Sequence, residues 1–134
     1  MAIDDSRNTA VVIGNAGGVI LKEVSSTLQK AGFSVTTVPS GRAALELYRD
    51  QEHPVDLAVI DTSAAGIKAA EVAQQLHEMS PHVRMLFLSD NNRESVAGAE
   101  LSGHVRQFLR KPFRRAQFLG RVLELMDQPK IFTA

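Results

Sequence analysis

The sequence predicts an α/β domain of three layers, a doubly wound sheet of five parallel strands with helices on both faces. Three observations carry that expectation. Short apolar segments rich in β-branched residues alternate with segments of helical periodicity along almost the whole chain. One of them, Val55-Asp56-Leu57-Ala58-Val59-Ile60-Asp61-Thr62, is apolar nearly throughout, as suits a central parallel strand covered on both faces. Finally, three apolar segments end in a polar residue of a different chemical kind: Asp61, Ser89 and Lys111.

Taken in order, residues 1–9 form a polar lead-in, residues 10–128 the domain and residues 129–134 a tail beginning at Pro129. Ala10-Val11-Val12-Ile13 reads as the first strand, stopped by the loop Gly14-Asn15-Ala16-Gly17-Gly18. Ile20, Val24, Leu28 and Ala31 recur at helical spacing, so the first helix is expected over residues 18–31, with Gly32 closing it. Phe33 to Val38 alternates and favours a second strand, and Pro39-Ser40-Gly41 is turn chemistry. A short helix carrying Ala44, Leu47 and Tyr48 on one face runs out near Gln51.

The central strand follows, entered through Pro54. After it, Ala69, Val72, Ala73 and Leu76 mark a third helix that stops before Pro81. Val83 to Leu88 is a fourth strand ending at Ser89-Asp90, and Asn91 to Leu101 is a short helix weakened by Gly98. His104 to Leu109 is the fifth strand. Lys111-Pro112-Phe113 then opens a last helix with Ala116, Leu119, Val122, Leu123 and Met126 on its face. Such alternation implies right-handed crossovers between parallel strands.

Composition narrows the function classes. At 134 residues the chain suits one core without staples. Fifteen Lys and Arg balance fifteen Asp and Glu, so no global field argues for nucleic acid or an anionic membrane. The absence of cysteine excludes disulfide and thiolate chemistry and is compatible with a reducing compartment. No apolar run approaches the ~18 residues a spanning helix needs, and the polar start lacks a signal-peptide core, so a cytoplasmic protein is expected. His53, His77, His82 and His104 lack metal-ligand spacing. The loop after the first strand lacks the Gly-Lys-Ser/Thr ending of a Walker phosphate loop.

In a parallel sheet Asp61, Ser89 and Lys111 all point to the carboxyl edge, where open α/β sheets collect ligands. A carboxylate nucleophile, a hydroxyl donor and an ammonium suit a phosphoryl group, whose negative oxygens need donors and cations. Singly, each has a plainer role: a loop acid, a helix cap and a surface charge.

With these residues placed, the chain resembles a response-regulator receiver domain, the phosphoacceptor module of two-component signalling, over nearly its whole length. The matching segments are Val55 to Asp61, Leu86-Phe87-Leu88-Ser89 and, most specifically, Phe108-Leu109-Arg110-Lys111-Pro112-Phe113. The resemblance implies the flavodoxin-like strand order 2-1-3-4-5. It implies that Asp61 accepts a phosphoryl group from a histidine kinase or phosphotransfer protein, that Ser89 and Lys111 bind its oxygens, and that Phe108 is a switch aromatic. It also implies a cis Lys111-Pro112 bond, and no enzyme beyond this transfer.

Two departures alter the expectation. The acidic pair that family members carry after the first strand, to hold Mg²⁺ with the acceptor, reads Gly14-Asn15 here. A degraded metal site of Gly14, Asn15 and Asp61 should bind Mg²⁺ weakly, because that ion prefers several hard anionic oxygens. Asp4 and Asp5 precede the first strand and belong toward its other end. The loop from Thr62 to Ala69 also departs from the family pattern, and the small residue expected after Ser89 is Asp90.

The leading expectation is thus a phosphoacceptor with weakened Mg²⁺ dependence, and the alternative a pseudo-receiver that binds protein without phosphorylation. A phosphatase of the haloacid-dehalogenase type is disfavoured, since Ser63 stands where its second acid would be. Arg106, Arg110, Arg114 and Arg115 belong to a basic run interleaved with Phe108, Phe113 and Phe118. With Phe108 on a buried strand, that run reads as a protein-binding or dimerisation surface, built with the helix expected over 91–101, and not as a nucleic-acid platform.

Overall fold

The computed structural model of the 134-residue chain describes residues 8–14, 18–49, 55–62, 69–79, 83–89 and 106–127. Five strands alternate with helices in the order β1 (Thr9–Ile13), α1 (Val19–Lys30), β2 (Ser34–Val38), α2 (Gly41–Arg49), β3 (Leu57–Asp61), α3 (Ala69–Met79), β4 (Arg84–Ser89), β5 (Arg106–Arg110) and α4 (Arg115–Met126). The helix expected over 91–101 and the boundaries expected at 1–9 and 129–134 fall wholly or mostly outside the described residues.

All five strands pair in parallel, in the order β2-β1-β3-β4-β5. β3 lies at the centre, and every residue from Leu57 to Asp61 is buried. Its missing polar alternation is therefore the mark of a strand covered on both faces. Alternate strand residues feed two cores. Val11, Ile13, Ala58, Ile60, Met85 and Phe87 pack with Ala44, Val72, Ala73 and Leu76 of α2 and α3. On the other face Val12, Val59, Leu86 and Leu88 pack with α1 and α4.

Three helical faces differ from the sequence expectation, and in α2 it is Leu47 that is exposed, while Ala43 and Leu45 pack against the core beside buried Ala44. In α1 the buried positions are Leu21, Val24, Thr27 and Leu28, whereas Ile20 is half exposed and Val19 lies in solvent. The stripe is rotated by one residue, because Leu21, Val24 and Leu28 fill the i, i+3, i+7 positions facing the sheet. In α4 the buried residues are Phe118, Val122 and Leu125, and Leu123 is 55% exposed. Phe118, weighed above as part of a basic and aromatic run, is a core residue, so its ring is turned away from any surface ligand.

Gly32 ends α1 as expected. Its φ is +102°, and the Phe33 N–H donates to Leu28 O while the Gly32 N–H donates to Gln29 O. These are the two bonds of a Schellman cap, completed by burial of Phe33 and Leu28 in one cluster. The Ser40 hydroxyl accepts from the Ala43 N–H at 3.1 Å and caps the start of α2.

Candidate functional site

Parallel pairing brings the ends of β3, β4 and β5 to one edge. The register sets Asp61 against Leu88 and Ser89 against Arg110, so Lys111 lies one residue past the end of β5. The backbone continues this alignment beyond the strands. Thr62 N–H donates to Leu88 O at 2.9 Å and Lys111 N–H donates to Ser89 O at 2.8 Å.

The Lys111 ammonium reaches back across β4 and places Nζ 2.9 Å from Asp61 Oδ1. Both side chains are nearly buried, at 10% and 11% exposure. A charge-assisted bond in such a place is screened far less than a surface pair. Ser89 is also buried, on the strand between the two. The Lys111-Pro112 peptide bond is cis, in agreement with the resemblance. The edge therefore brings a carboxylate and an ammonium into contact, with buried Ser89 on the strand between them.

Gly14, at the end of β1, closes the other side of Asp61. Its N–H donates to Val38 O at 2.9 Å, prolonging the β1 and β2 ladder. A Cβ at this position would stand 2.8 Å from Leu21 Cδ1 and 2.9 Å from Asp61 Cβ, too close for either. Asp61 Oδ2 lies 3.6 Å from the same point. What this glycine supplies is the absence of a side chain, which lets β1 pass close to the acceptor strand.

Asn15, part of the expected metal site, and Asp90, which follows Ser89, lie outside the described residues. Among the described residues no group of three or more His, Cys, Asp or Glu is placed to hold a metal ion. Of the described part of the expected metal site, Gly14 lends no side-chain donor and Asp61 is engaged by Lys111. This described part is a poor fit for Mg²⁺, since its one carboxylate is already engaged by an ammonium.

The remaining expected residues distribute as follows. Phe108 is half-buried and stacks on Phe87, with ring centroids 5.1 Å apart, and its carbonyl accepts from Arg121 Nη1 at 3.2 Å. Arg110 and Arg114 are exposed. Arg115 turns toward α1 and meets Glu23 at 3.4 Å. Arg106 begins β5 opposite Met85. Thr62 was read only as loop, yet its hydroxyl donates to Leu88 O at 2.9 Å and fixes the chain leaving Asp61. The approach of Leu21 Cδ1 to the place a Gly14 Cβ would take was likewise missed; a leucine of helical periodicity carries no signal of what lies across the loop.

A doubly wound sheet with an acid, an ammonium and a hydroxyl at its carboxyl edge defines an α/β domain equipped for an anionic group. Comparison with known proteins narrows the class. The model of the response regulator receiver domain matches residues 17–123, and the chain belongs to that family. It is 29% identical to the alkaline phosphatase synthesis transcriptional regulatory protein SphR of Synechococcus elongatus over 118 residues, 81% of this chain and 45% of that protein. It is 30% identical to the heme response regulator HssR of Staphylococcus aureus over 117 residues, 84% of this chain and 49% of that one. The chain thus spans about half the length of these curated relatives. Among solved structures, a response regulator receiver protein from Sinorhizobium medicae superposes with a TM-score of 0.75 at 26% identity, covering 91% of this chain and 96% of that one. The chain is a receiver domain of the kind found in two-component response regulators, with the expected strand order.

Proposed function

We propose that this receiver is a phosphoacceptor whose acceptor is Asp61. A carboxylate oxygen of Asp61 attacks the phosphorus of a phosphohistidine on a histidine kinase or phosphotransfer protein. The new P–O bond forms as the P–N bond breaks, and the electron pair returns to the donor imidazole. Lys111 pairs with the phosphoryl oxygens as charge builds on them, and the Ser89 hydroxyl donates to one of them.

The observation that supports this most is the 2.9 Å contact of Lys111 Nζ with Asp61 Oδ1 at the carboxyl edge. A cation beside the acceptor oxygen is what a transferred phosphoryl group requires, and this supports the reading. Any Mg²⁺ at this site binds weakly, since the described residues offer one carboxylate and that one is already paired. Phosphorylation turns the Asp61 carboxylate into an acyl phosphate and moves the negative charge that Lys111 meets onto the phosphoryl oxygens; Phe108, stacked on Phe87 in the neighbouring strand, is the aromatic that responds. Arg106, Arg110, Arg114 and Arg115 then serve an output partner or a second copy of the chain, in a cytoplasmic setting.

The test is incubation with acetyl phosphate, with and without Mg²⁺, followed by intact mass measurement. The wild type should gain one phosphoryl group, and Asp61→Asn none. A folded wild type that gains none in either buffer would overturn the reading and leave a protein-binding module.

A further inference from the structure

We propose that Gly14 and Leu21 make the acceptor site metal-excluding, so that the Lys111 ammonium is its working cation. The inference deepens the phosphoacceptor reading and rests on it for its chemical consequence, which is phosphoryl transfer that needs no divalent ion.

Leu21 Cδ1, Asp61 Cβ and Asp61 Oδ2 all lie within 3.6 Å of the point where a Gly14 Cβ would stand. Leu21 is 2% exposed and belongs to the core formed with Val24 and Leu28, so its methyl is held over the end of β1 by packing. Asp61 Cβ is fixed as well, because its strand is buried and paired on both sides. On the Oδ2 side the carboxylate therefore has the Gly14 backbone and the Leu21 methyl among its neighbours.

Charge points the same way. On its Oδ1 side Asp61 already meets an ammonium at 2.9 Å. A divalent ion would have to share the carboxylate with Lys111, against like-charge repulsion in a nearly buried place. It would also lose water to a methyl group and gain no side-chain oxygen from residue 14. Sequence alone reads Gly14 as a missing ligand; the packing adds that its place is filled. Restoring an acid at residue 14 should consequently fail unless Leu21 is cut back too, which gives the end of β1 room to move off the fixed Asp61 Cβ, 2.9 Å from the added atom.

The experiment is Mn²⁺ titration of the full chain by electron paramagnetic resonance, which reads the free ion whether or not phosphoryl transfer occurs. Wild type and Asp61→Asn should bind Mn²⁺ alike, within about twofold, because Asp61 contributes no metal site. Gly14→Asp should add nothing, and Gly14→Asp with Leu21→Ala should tighten binding by about tenfold or more. Wild-type binding that Asp61→Asn abolishes would overturn the proposal, and that comparison needs no altered glycine. A gain from Gly14→Asp alone, or none from a folded double variant, would also overturn it.

The phosphoryl reading is scored apart, by intact mass after phosphoramidate treatment in EDTA. An adduct in EDTA supports both readings. An adduct that forms only with Mg²⁺ overturns metal exclusion and keeps the phosphoacceptor. No adduct in any buffer overturns the phosphoacceptor and its metal-free transfer, while the Mn²⁺ series still decides the cation question.

Discussion

Lys111 and Asp61 stand 50 residues apart in the chain, yet Nζ and Oδ1 meet at 2.9 Å across the intervening strand β4. The pair ties the centre of the sheet to its edge strand. Because both side chains are nearly buried, removing either partner leaves the other's charge in a poor solvent.

A double-mutant cycle of Asp61→Asn and Lys111→Met in urea should therefore show a coupling free energy of about 1–3 kcal/mol. Purely additive effects would show that the contact contributes nothing to folding.

Packing of α2 against α3 depends on Gly41, where a Cβ would fall 2.2 Å from Val72 Cγ2. Gly41→Ala should lower stability by about 1–3 kcal/mol, the usual cost of overpacking. Pairing it with Val72→Ala should recover part of the loss, measured by the same urea transitions.

At the end of α1 the strain lies in the backbone. Gly32 has φ +102° with open space around it, so Gly32→Ala meets no neighbour and still adopts an unfavourable conformation. A loss of about 1 kcal/mol is expected. Gly32→Asn should lose less, since Asn enters the left-handed region more readily.

The exposed Arg115 and Glu23 pair, 56% and 52% exposed, should contribute little to folding. Arg114→Glu with Arg115→Glu should change stability by less than about 1 kcal/mol. The same double variant should weaken self-association or capture of an output partner, followed by sedimentation. Unchanged association would remove these arginines from the binding surface.

Much of the architecture was legible because it rests on short-range pattern. β3 announced itself through an unbroken apolar run, Gly32 through its place after the last helical repeat, and α3 through Val72, Ala73 and Leu76, all buried. The helical faces of α1 and α4 were rotated in the reading. Ile20 and Leu123 have the same side-chain chemistry as Leu21 and Leu125, and only the sheet decides which of them is covered. The site was legible as three strand ends, since parallel pairing sends all of them to one edge. Its tightness was not. The approach of Gly14 to Asp61, with Leu21 above, joins three segments of chain whose spacing depends on strand pairing and helix docking together.

The first helix of the described chain and the last share one face of the sheet, Leu21, Val24 and Leu28 sealing against Phe118, Val122 and Leu125. During synthesis α1 emerges long before α4 exists. Burial of that face therefore waits until residues 115–126 have left the ribosome.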